Sequence, residues 1–453
     1  MSKKYELNMT TGNIWMLLIK FSVPLILSSM LQLLFNAADV VVVGKFAGNE
    51  ALAAVGSTGA LTNLILGVAL GISQGCNIIC SRAYGANDKK TMEGAVHSAI
   101  ALSILCGAVV MVIGILFSKP ILRLMGSPDD VIDLAATYMK IYFAGIIPIL
   151  LYNFCSAILR AVGDTKRPFV FISIAGVINI CLNLVFVIVF HMGAAGVALA
   201  TVISWAITSV LTLIVLMKSD GIYRIELKKI RFYPRETTSI VSLGLPMGIQ
   251  GMTFSLSNVV IMSAINSLGT TVIAANSAAA NIEGFVWVAL EAVTIASMTF
   301  ISQNYGARRF DRNDKCFYIG LILVAAVAFS TGFLAYTFGR PLLSLYTSDL
   351  HVVSVGMQRL GIVALYYFLG AIMQHIVNVI KGYGRAIVST VICLLGSCAL
   401  RLVWVWVIFP IRPSYTMLLN CYPVTWSVTA FACWICYILI VKKIKKKYQS
   451  ARS

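Results

Sequence analysis

Long apolar runs recur along the whole chain, and they constrain its fold more than any other feature. Each run reaches about the 20 residues that an α-helix needs to cross a bilayer, and polar breaks separate the runs. Charged residues make up only 11% of the 453 residues, too few to cover a water-soluble protein. We therefore predict an all-α integral membrane protein with twelve transmembrane helices, because a helix satisfies its own backbone polar groups in lipid. The predicted spans are residues 14–44, 51–81, 92–117, 131–159, 168–190, 194–217, 237–265, 272–302, 315–338, 352–380, 386–409 and 418–441.

The chain carries a net charge of +18, and its lysines and arginines concentrate in alternate polar breaks. If both termini and every second loop share one side, that side holds 27 of the 35 basic residues. Such an imbalance is typical of the cytoplasmic face, so we predict a multi-pass plasma-membrane protein with both termini in the cytoplasm. No nucleic-acid-binding motif accompanies the charge, so we expect membrane lipid, and no nucleic acid, as its surroundings. Arg401 lies inside a span, and the other side holds Lys45, Lys119, Arg123, Lys140, Arg340, Arg359 and Arg412.

The two halves of the chain resemble each other at an offset of 221 or 222 residues. The segment SRAYGAND at 81–88 matches SQNYGARR at 302–309, and Gly48 matches Gly269. Each half holds six predicted spans, an even number, so both halves have the same topology. The sequence therefore predicts two pseudo-symmetric six-helix bundles.

This repeat predicts two lobes, residues 1–217 and 237–453, joined by a basic cytoplasmic linker at 218–236. Pro24 in the first span matches Pro246 in the seventh. A proline inside a helix removes one backbone hydrogen bond and favours a kink, so we predict that both prolines act as hinges. Two similar lobes are an architecture of transporters that work by alternating access.

Three acidic residues, Asp39, Glu283 and Glu291, lie deep inside predicted spans. A charge at mid-bilayer costs about 2.5–3.5 kcal/mol on insertion scales, so such a residue usually faces a cavity or a partner. Each could bind a proton or a cation, or could neutralise a basic neighbour. Arg401 could extend to the membrane interface or pair with an acid. His375 shares its span with two side-chain amides and is a candidate cavity-lining residue.

Amide and hydroxyl side chains mark the fifth and sixth spans. Asn179 and Asn183 lie four residues apart, hence on one helix face, and Thr201 begins a polar stripe on the sixth span. Their oxygens could bind Na⁺ beside a carboxylate, or they could form interhelical hydrogen bonds. In the second span, glycines at a spacing of four, Gly71 and Gly75 among them, predict close helix packing.

No nucleotide-binding or hydrolase motif is present, because the chain lacks G-x-x-x-x-G-K-[ST], H-E-x-x-H and G-x-S-x-G. We therefore expect a protein that is not an enzyme, has no cofactor or resident metal, and uses a gradient of H⁺ or Na⁺. A membrane-embedded enzyme would need a catalytic motif, and a channel would need a filter-like ring sequence. Neither feature is found in the sequence.

Several segments together resemble the multidrug and toxic compound extrusion (MATE) transporters, and the likeness covers nearly the whole chain. Within that family, the sequence is most similar to bacterial MepA-type exporters of cationic drugs, biocides and dyes. Each segment alone is a weak signal, whereas the combination is specific. The matching residues are Pro24, Gln32, Asn36, Asp39, Gly44, LAA at 52–54, RAVGDTKRP at 160–168, GAAGVALAT at 193–201, and Gln303 with YGA at 305–307.

The resemblance implies a monomer with two bundles around a cleft, exporting cationic or amphipathic drugs in exchange for H⁺ or Na⁺ and so conferring antibiotic resistance. It implies a cation-coupling site in the first lobe. The matching positions are Asp39, Asn36, Asn179, Asn183 and Thr201, of which all but Asn36 form a possible Na⁺ site. The candidate substrate-binding residues are Gln32, Glu283, Glu291 and His375.

The sequence departs from the family pattern at two places. Some members have an aspartate at the position of Asn183, and NorM-like members have acids in the seventh and tenth spans, where this chain has none. The alternative function is a flippase for a lipid-linked precursor. Its anionic head groups would require several basic residues facing a cavity, and the predicted spans offer little beyond Arg401.

Overall fold

The structure, a computed structural model, describes residues 5–124 and 129–450, and every regular element in these ranges is a helix. Within the described ranges, eleven helices are long and apolar enough to cross a membrane, and a bent pair of helices supplies a twelfth span. The predicted all-α fold with twelve spans is confirmed, with limits that differ by a few residues. Lys3, Lys4 and Arg452, counted among the cytoplasmic charges, lie outside the described residues. The spans are Ile14–Phe46, Glu50–Gly85, Lys89–Arg123, Val131–Ala144 with Ile146–Ala161, Lys166–Val189, Gly193–Met217, Pro234–Asn266, Thr270–Gly306, Phe310–Thr337, Leu350–Gly382, Ala386–Ile411 and Tyr415–Gln449.

The fourth span, predicted without a break, bends by 49° between Val131–Ala144 and Ile146–Ala161. Gly145 lies at the bend, and its N–H donates to two carbonyls of the preceding turn, at 3.1 and 3.3 Å. Pro148, three residues later, has no N–H to donate to the carbonyl four residues before it. The lost bond and the adjacent glycine together explain the bend.

The internal repeat is visible in the backbone. Gly48 and Gly269, which lie just before the second and eighth spans, have φ angles of 87° and 98°. Asn87 and Arg308 are also 221 residues apart, and both adopt the left-handed conformation, with φ of 53° and 57°. A residue with a side chain seldom adopts this conformation, so its recurrence at equivalent turns confirms that the two halves share one fold.

The chain forms two compact units. Unit 1 consists of the described part of Met1–Asn8 together with Leu27–Gly248, and unit 2 of Met9–Ile26 together with the described part of Ile249–Ser453. Each unit has its own core of buried apolar side chains. The predicted division into lobes at the linker 218–236 stays a prediction.

Within unit 1, the second span and the first half of the seventh touch backbone to backbone. A Cβ atom added at Gly71 would lie 2.2 Å from the nitrogen of Gly248, and one at Gly75 would lie 2.4 Å from the carbonyl oxygen of Ile240. No larger residue fits at this crossing, so the predicted close packing of the glycine stripe is confirmed.

Apolar side chains also cover the outer face of the helices. On the third span, Leu105, Val109, Val112 and Leu116 are about half exposed and recur at the spacing of one helix face. A water-soluble protein rarely exposes an apolar stripe of this length, whereas lipid favours it. The chain is therefore a multi-pass membrane protein.

Candidate functional site

Unit 1 contains a cavity of about 430 Å³ between its first, second, fourth, fifth and sixth spans. Asp39 is the only charged side chain among the described residues that line it. The remainder of the lining is apolar, aromatic, or neutral and polar. Its neutral polar residues include Gln32, Asn36, Thr58, Asn179, Thr201 and Ser204.

A chain of hydrogen bonds connects Asp39 to the fifth and sixth spans. The Nδ2 atom of Asn183 donates to Asp39 Oδ1 at 2.5 Å and to Asn179 Oδ1 at 3.2 Å. Asn179 Nδ2 in turn donates to Thr201 Oγ1 at 3.4 Å. Asn183 Oδ1 is buried and has no hydrogen-bond partner in the described part of the chain, so an acceptor is available beside the carboxylate.

Packing between Phe35 and Gly176 positions the carboxylate. The Phe35 ring occupies the space that a side chain at position 176 would fill, because a Cβ atom there would lie 1.7 Å from Phe35 Cε2. Asp39 follows Phe35 by four residues, and Asn183 follows Gly176 by seven, so each pair shares a helix face. The contact therefore places Asp39 beside Asn183.

Aromatic side chains form one side of the cavity, and the sequence analysis missed them. Tyr138 and Tyr142 of the fourth span stack at a centroid separation of 6.3 Å, and Trp205 of the sixth span also lines the cavity. An aromatic face attracts an organic cation through its quadrupole. The spacing of the two tyrosines, four residues apart in a membrane span, was the available signal.

The residues predicted to couple transport to a cation lie together in unit 1. Asp39, Asn36, Asn179 and Thr201 line the cavity, and Asn183 is fully buried behind it. Gln32, predicted to bind substrate, lines the same cavity. Their roles stay predictions, and their proximity is a finding of the structure.

Glu283, in unit 2, is paired with a basic neighbour. Its two oxygens accept hydrogen bonds from Arg359 Nε and Nη2 at 2.9 and 2.7 Å, and both side chains are buried. Arg359 also donates to Asn276 Oδ1 at 2.6 Å. Arg359, which the sequence analysis counted on the side opposite the termini, lies within the span Leu350–Gly382, and Glu283 compensates its charge there. Of the two interpretations of Glu283, the geometry supports neutralisation over attraction of a substrate cation.

The other two predicted substrate-binding residues are also in unit 2. Glu291 is partly buried and interacts electrostatically with Lys381. His375 is fully buried, with Nε2 3.0 Å from the carbonyl oxygen of Phe317. The structure therefore does not bring these two residues into the cavity that Gln32 lines.

The two predicted hinges lie within continuous helices. Ile14–Phe46 runs through Pro24, and Pro234–Asn266 runs through Pro246. Each proline leaves the preceding turn one backbone hydrogen bond short, which is where a helix bends most easily. Their role as hinges stays a prediction.

Comparison with known proteins agrees with the repeated architecture. The family model MatE matches residues 24–185 and again residues 246–407, one segment in each half. Two Bacillus subtilis (strain 168) proteins, probable multidrug resistance proteins YoeA and YpnP, are each 30% identical to this chain. The YoeA match covers 84% of both chains, and the YpnP match covers 86% of this chain and 88% of YpnP.

A crystal structure of MATE in complex with MaL6 has the same fold, with a TM-score of 0.89 at 20% identity. The match covers 97% of this chain and 98% of that one. Its fold therefore extends over both six-helix halves. The repeated family match and the extent of the likeness to YoeA lead to one conclusion: this chain belongs to the MATE family.

Proposed function

We propose that this chain exports small organic cations and amphipathic drugs from the cytoplasm as a secondary active antiporter that works by alternating access. The observation that supports this function is the cavity of about 430 Å³, in which Asp39 is the only charged residue among the described lining residues. The volume is in the range of pockets that bind drug-sized molecules. One carboxylate in a low-dielectric cavity selects strongly for cations, and the aromatic side adds attraction for organic ones.

Asp39 would couple the drug to an inward-moving ion. Its carboxylate can be neutralised by a proton, by Na⁺ with the neighbouring amide and hydroxyl oxygens, or by a cationic drug. Because these occupants use the same charge, each weakens the binding of the others, and this weakening is reciprocal. With cytoplasmic termini, a membrane potential of 100 mV would contribute about 2.3 kcal/mol for each net charge moved inward.

Loss of the carboxylate's charge would also loosen the first span. A protonated Asp39 accepts a weaker hydrogen bond from Asn183 than the ionised form does. The first span could then bend at Pro24 and reduce the cavity, so that drug is released on the outside. Binding of drug and binding of the ion would thus favour different conformations.

Binding of a fluorescent cation tests this coupling. Purified protein should bind ethidium less tightly as the pH falls if H⁺ is the coupling ion, or as Na⁺ rises at fixed pH if sodium is. Asp39→Asn removes the charge at nearly constant shape, so it should weaken ethidium binding at least tenfold and abolish the sensitivity to either ion.

Asp133→Asn is the matched control, because Asp133 is an exposed acid of the same unit and lies on the protein surface. It should bind ethidium as the unmodified protein does. Equal affinity across both titrations, or an Asp39→Asn variant that still exchanges ethidium for an ion in proteoliposomes, would rule out antiport through this residue.

A further inference from the structure

Arg401, in the eleventh span, is a buried cation without a carboxylate partner among the described residues. Its side chain is only 4% exposed, and its one hydrogen bond to a described residue runs from Nη1 to Asn258 Oδ1 at 3.1 Å. Arg401 Nε is buried and has no hydrogen-bond partner in the described part of the chain. An uncompensated guanidinium in a membrane span is unfavourable unless something else supplies the negative charge.

Arg401 and Arg359 surround one aromatic ring. Their guanidinium carbons lie 4.8 and 5.4 Å from the centroid of Tyr422. Glu283 satisfies Arg359 with two hydrogen bonds and makes none with Arg401. Arg401, Arg359, Glu283, Tyr422 and Asn258 form what we call the unit 2 cluster. Its two guanidinium groups and one carboxylate give it a formal charge of +1, whereas the lining of the unit 1 cavity has a formal charge of −1.

The hydrogen bond of Arg401 leads to an exposed residue of the seventh span. Asn258, which accepts the hydrogen bond from Arg401, is exposed on the seventh span, as are Ser255 and Gly251. These three residues are spaced four and three apart and so share one helix face. Polar side chains inside a membrane span, such as those of Asn258 and Ser255, normally face a water-filled cavity, so we expect a ligand to reach the guanidinium from this face.

The internal repeat provides an independent argument. At an offset of 221 or 222 residues, four residues that line the unit 1 cavity correspond to four residues of the unit 2 cluster. The cavity-lining positions of one half thus correspond to this cluster in the other half, where the formal charge has the opposite sign. The pairs are Asn36 with Asn258, Thr62 with Glu283, Tyr138 with Arg359, and Thr201 with Tyr422.

We propose that Arg401, with Asn258, binds an oxyanion of the transported molecule, a carboxylate or a phosphate. The nitrogens Nε and Nη2 of a guanidinium form a planar fork that matches two oxygens of such a group, and neither nitrogen of Arg401 has a hydrogen-bond partner among the described residues. This inference rests on the proposed export function and narrows its substrate class to amphipathic cations that also carry an acidic group.

Two dyes that differ only at the acidic group provide the test. Rhodamine 110 has a free carboxylate, and rhodamine 123 is its methyl ester. Their affinities for the purified protein are measured by fluorescence anisotropy in a neutral detergent. Arg401→Gln should lower the ratio of acid to ester affinity at least tenfold, because only the acid loses its counter-ion.

Asn258→Asp keeps the test valid if Arg401→Gln does not fold. The new carboxylate supplies a counter-ion to Arg401 from inside the protein, so this variant should fold and should also lower the ratio at least tenfold. Arg340→Gln removes an exposed positive charge of the same unit and should leave the ratio unchanged. An unchanged ratio in folded Arg401→Gln or Asn258→Asp, or equal losses for both dyes, would overturn the proposal.

A lipid phosphate offers the same chemistry, and a second arm distinguishes it. The dyes are compared in nanodiscs of phosphatidylcholine with and without phosphatidylglycerol. If Arg401 determines the binding of phosphatidylglycerol but not of rhodamine 110, the assignment to the transported molecule is wrong. If the unmodified protein binds neither dye, the proposed export function itself fails. If it binds rhodamine 123 normally but the ratio of acid to ester affinity does not change in the Arg401 and Asn258 variants, only the oxyanion site is refuted.

Discussion

Glu283→Gln isolates the contribution of the buried pair in unit 2. The substitution keeps the shape of the side chain but removes its charge, so Arg359 remains buried with a neutral amide in place of a carboxylate. Two charge-assisted hydrogen bonds, at 2.9 and 2.7 Å, are affected. Each contributes about 1.5–3 kcal/mol, and removing one member of a buried pair typically costs about 3–5 kcal/mol.

We therefore expect the free energy of unfolding to fall by about 3–5 kcal/mol in Glu283→Gln. Arg359→Gln alone should cost a similar amount, whereas the double variant should cost far less than the sum, because it leaves no unpaired charge. Equilibrium unfolding in mixed micelles of dodecyl maltoside and sodium dodecyl sulfate measures all three.

Asp311→Asn is the control, since Asp311 forms an exposed pair with Arg309 at 3.6 Å, a type that contributes about 0–1 kcal/mol. A loss below about 1 kcal/mol in Glu283→Gln would refute the buried pair. A large loss of ethidium affinity at unchanged stability would instead restore Glu283 as a substrate-binding residue.

Two further predictions concern the packing and capping of helices in unit 1. Gly71→Val should destabilise the protein by about 1–3 kcal/mol or more in the same unfolding assay, because even the Cβ atom of the valine would lie 2.2 Å from the backbone of Gly248. Gly284→Ala is the control, because open space surrounds Gly284. Equal stability of the two variants would contradict the close crossing. Asp88 caps the third span by accepting from the Thr91 N–H at 3.1 Å, so Asp88→Ala should cost about 1 kcal/mol and Asp88→Asn much less. The Thr91 hydroxyl and N–H hold the pKa of Asp88 below its ordinary value of 3.8. The charged cap therefore contributes fully to the free energy of unfolding above pH 3.8, and this contribution is lost as the pH falls through the lowered pKa. A decline that begins near neutral pH would contradict this assignment.

The positions of the twelve spans could be predicted because hydropathy alone determines which segments enter lipid. The repeat could be predicted for a similar reason, since turns such as those at Asn87 and Arg308 need particular backbone conformations that leave a sequence signature. The bend at Gly145 was missed, although a glycine three residues before a proline was visible. A span is recognised by its average composition, and a bend depends on one hydrogen bond.

The candidate site could be predicted only where its residues are spaced so that they share one helix face, or where they match a position of the family pattern. Asn183 met both conditions and Asp39 matched a family position, and in the structure Asn183 Nδ2 lies 2.5 Å from Asp39 Oδ1. Arg359 met neither, because its partner Glu283 is 76 residues away and nothing in the sequence of one span identifies the other. The argument against a flippase is weaker for the same reason, since Arg359 joins Arg401 inside the spans, although Glu283 cancels its charge.

The crossing of the second and seventh spans constrains how the nascent chain can mature. Unit 1 includes the seventh span as far as Gly248, which the ribosome makes only after the linker. A chain that has inserted six spans therefore still presents the backbone at Gly71 and Gly75 without its partner helix. Unit 2 in turn includes Met9–Ile26, a segment that is synthesised long before the rest of that unit. The two repeated halves are therefore not modules that fold one after the other. Each compact unit includes a segment from the other half of the sequence, so it is complete only after part of both halves has been inserted.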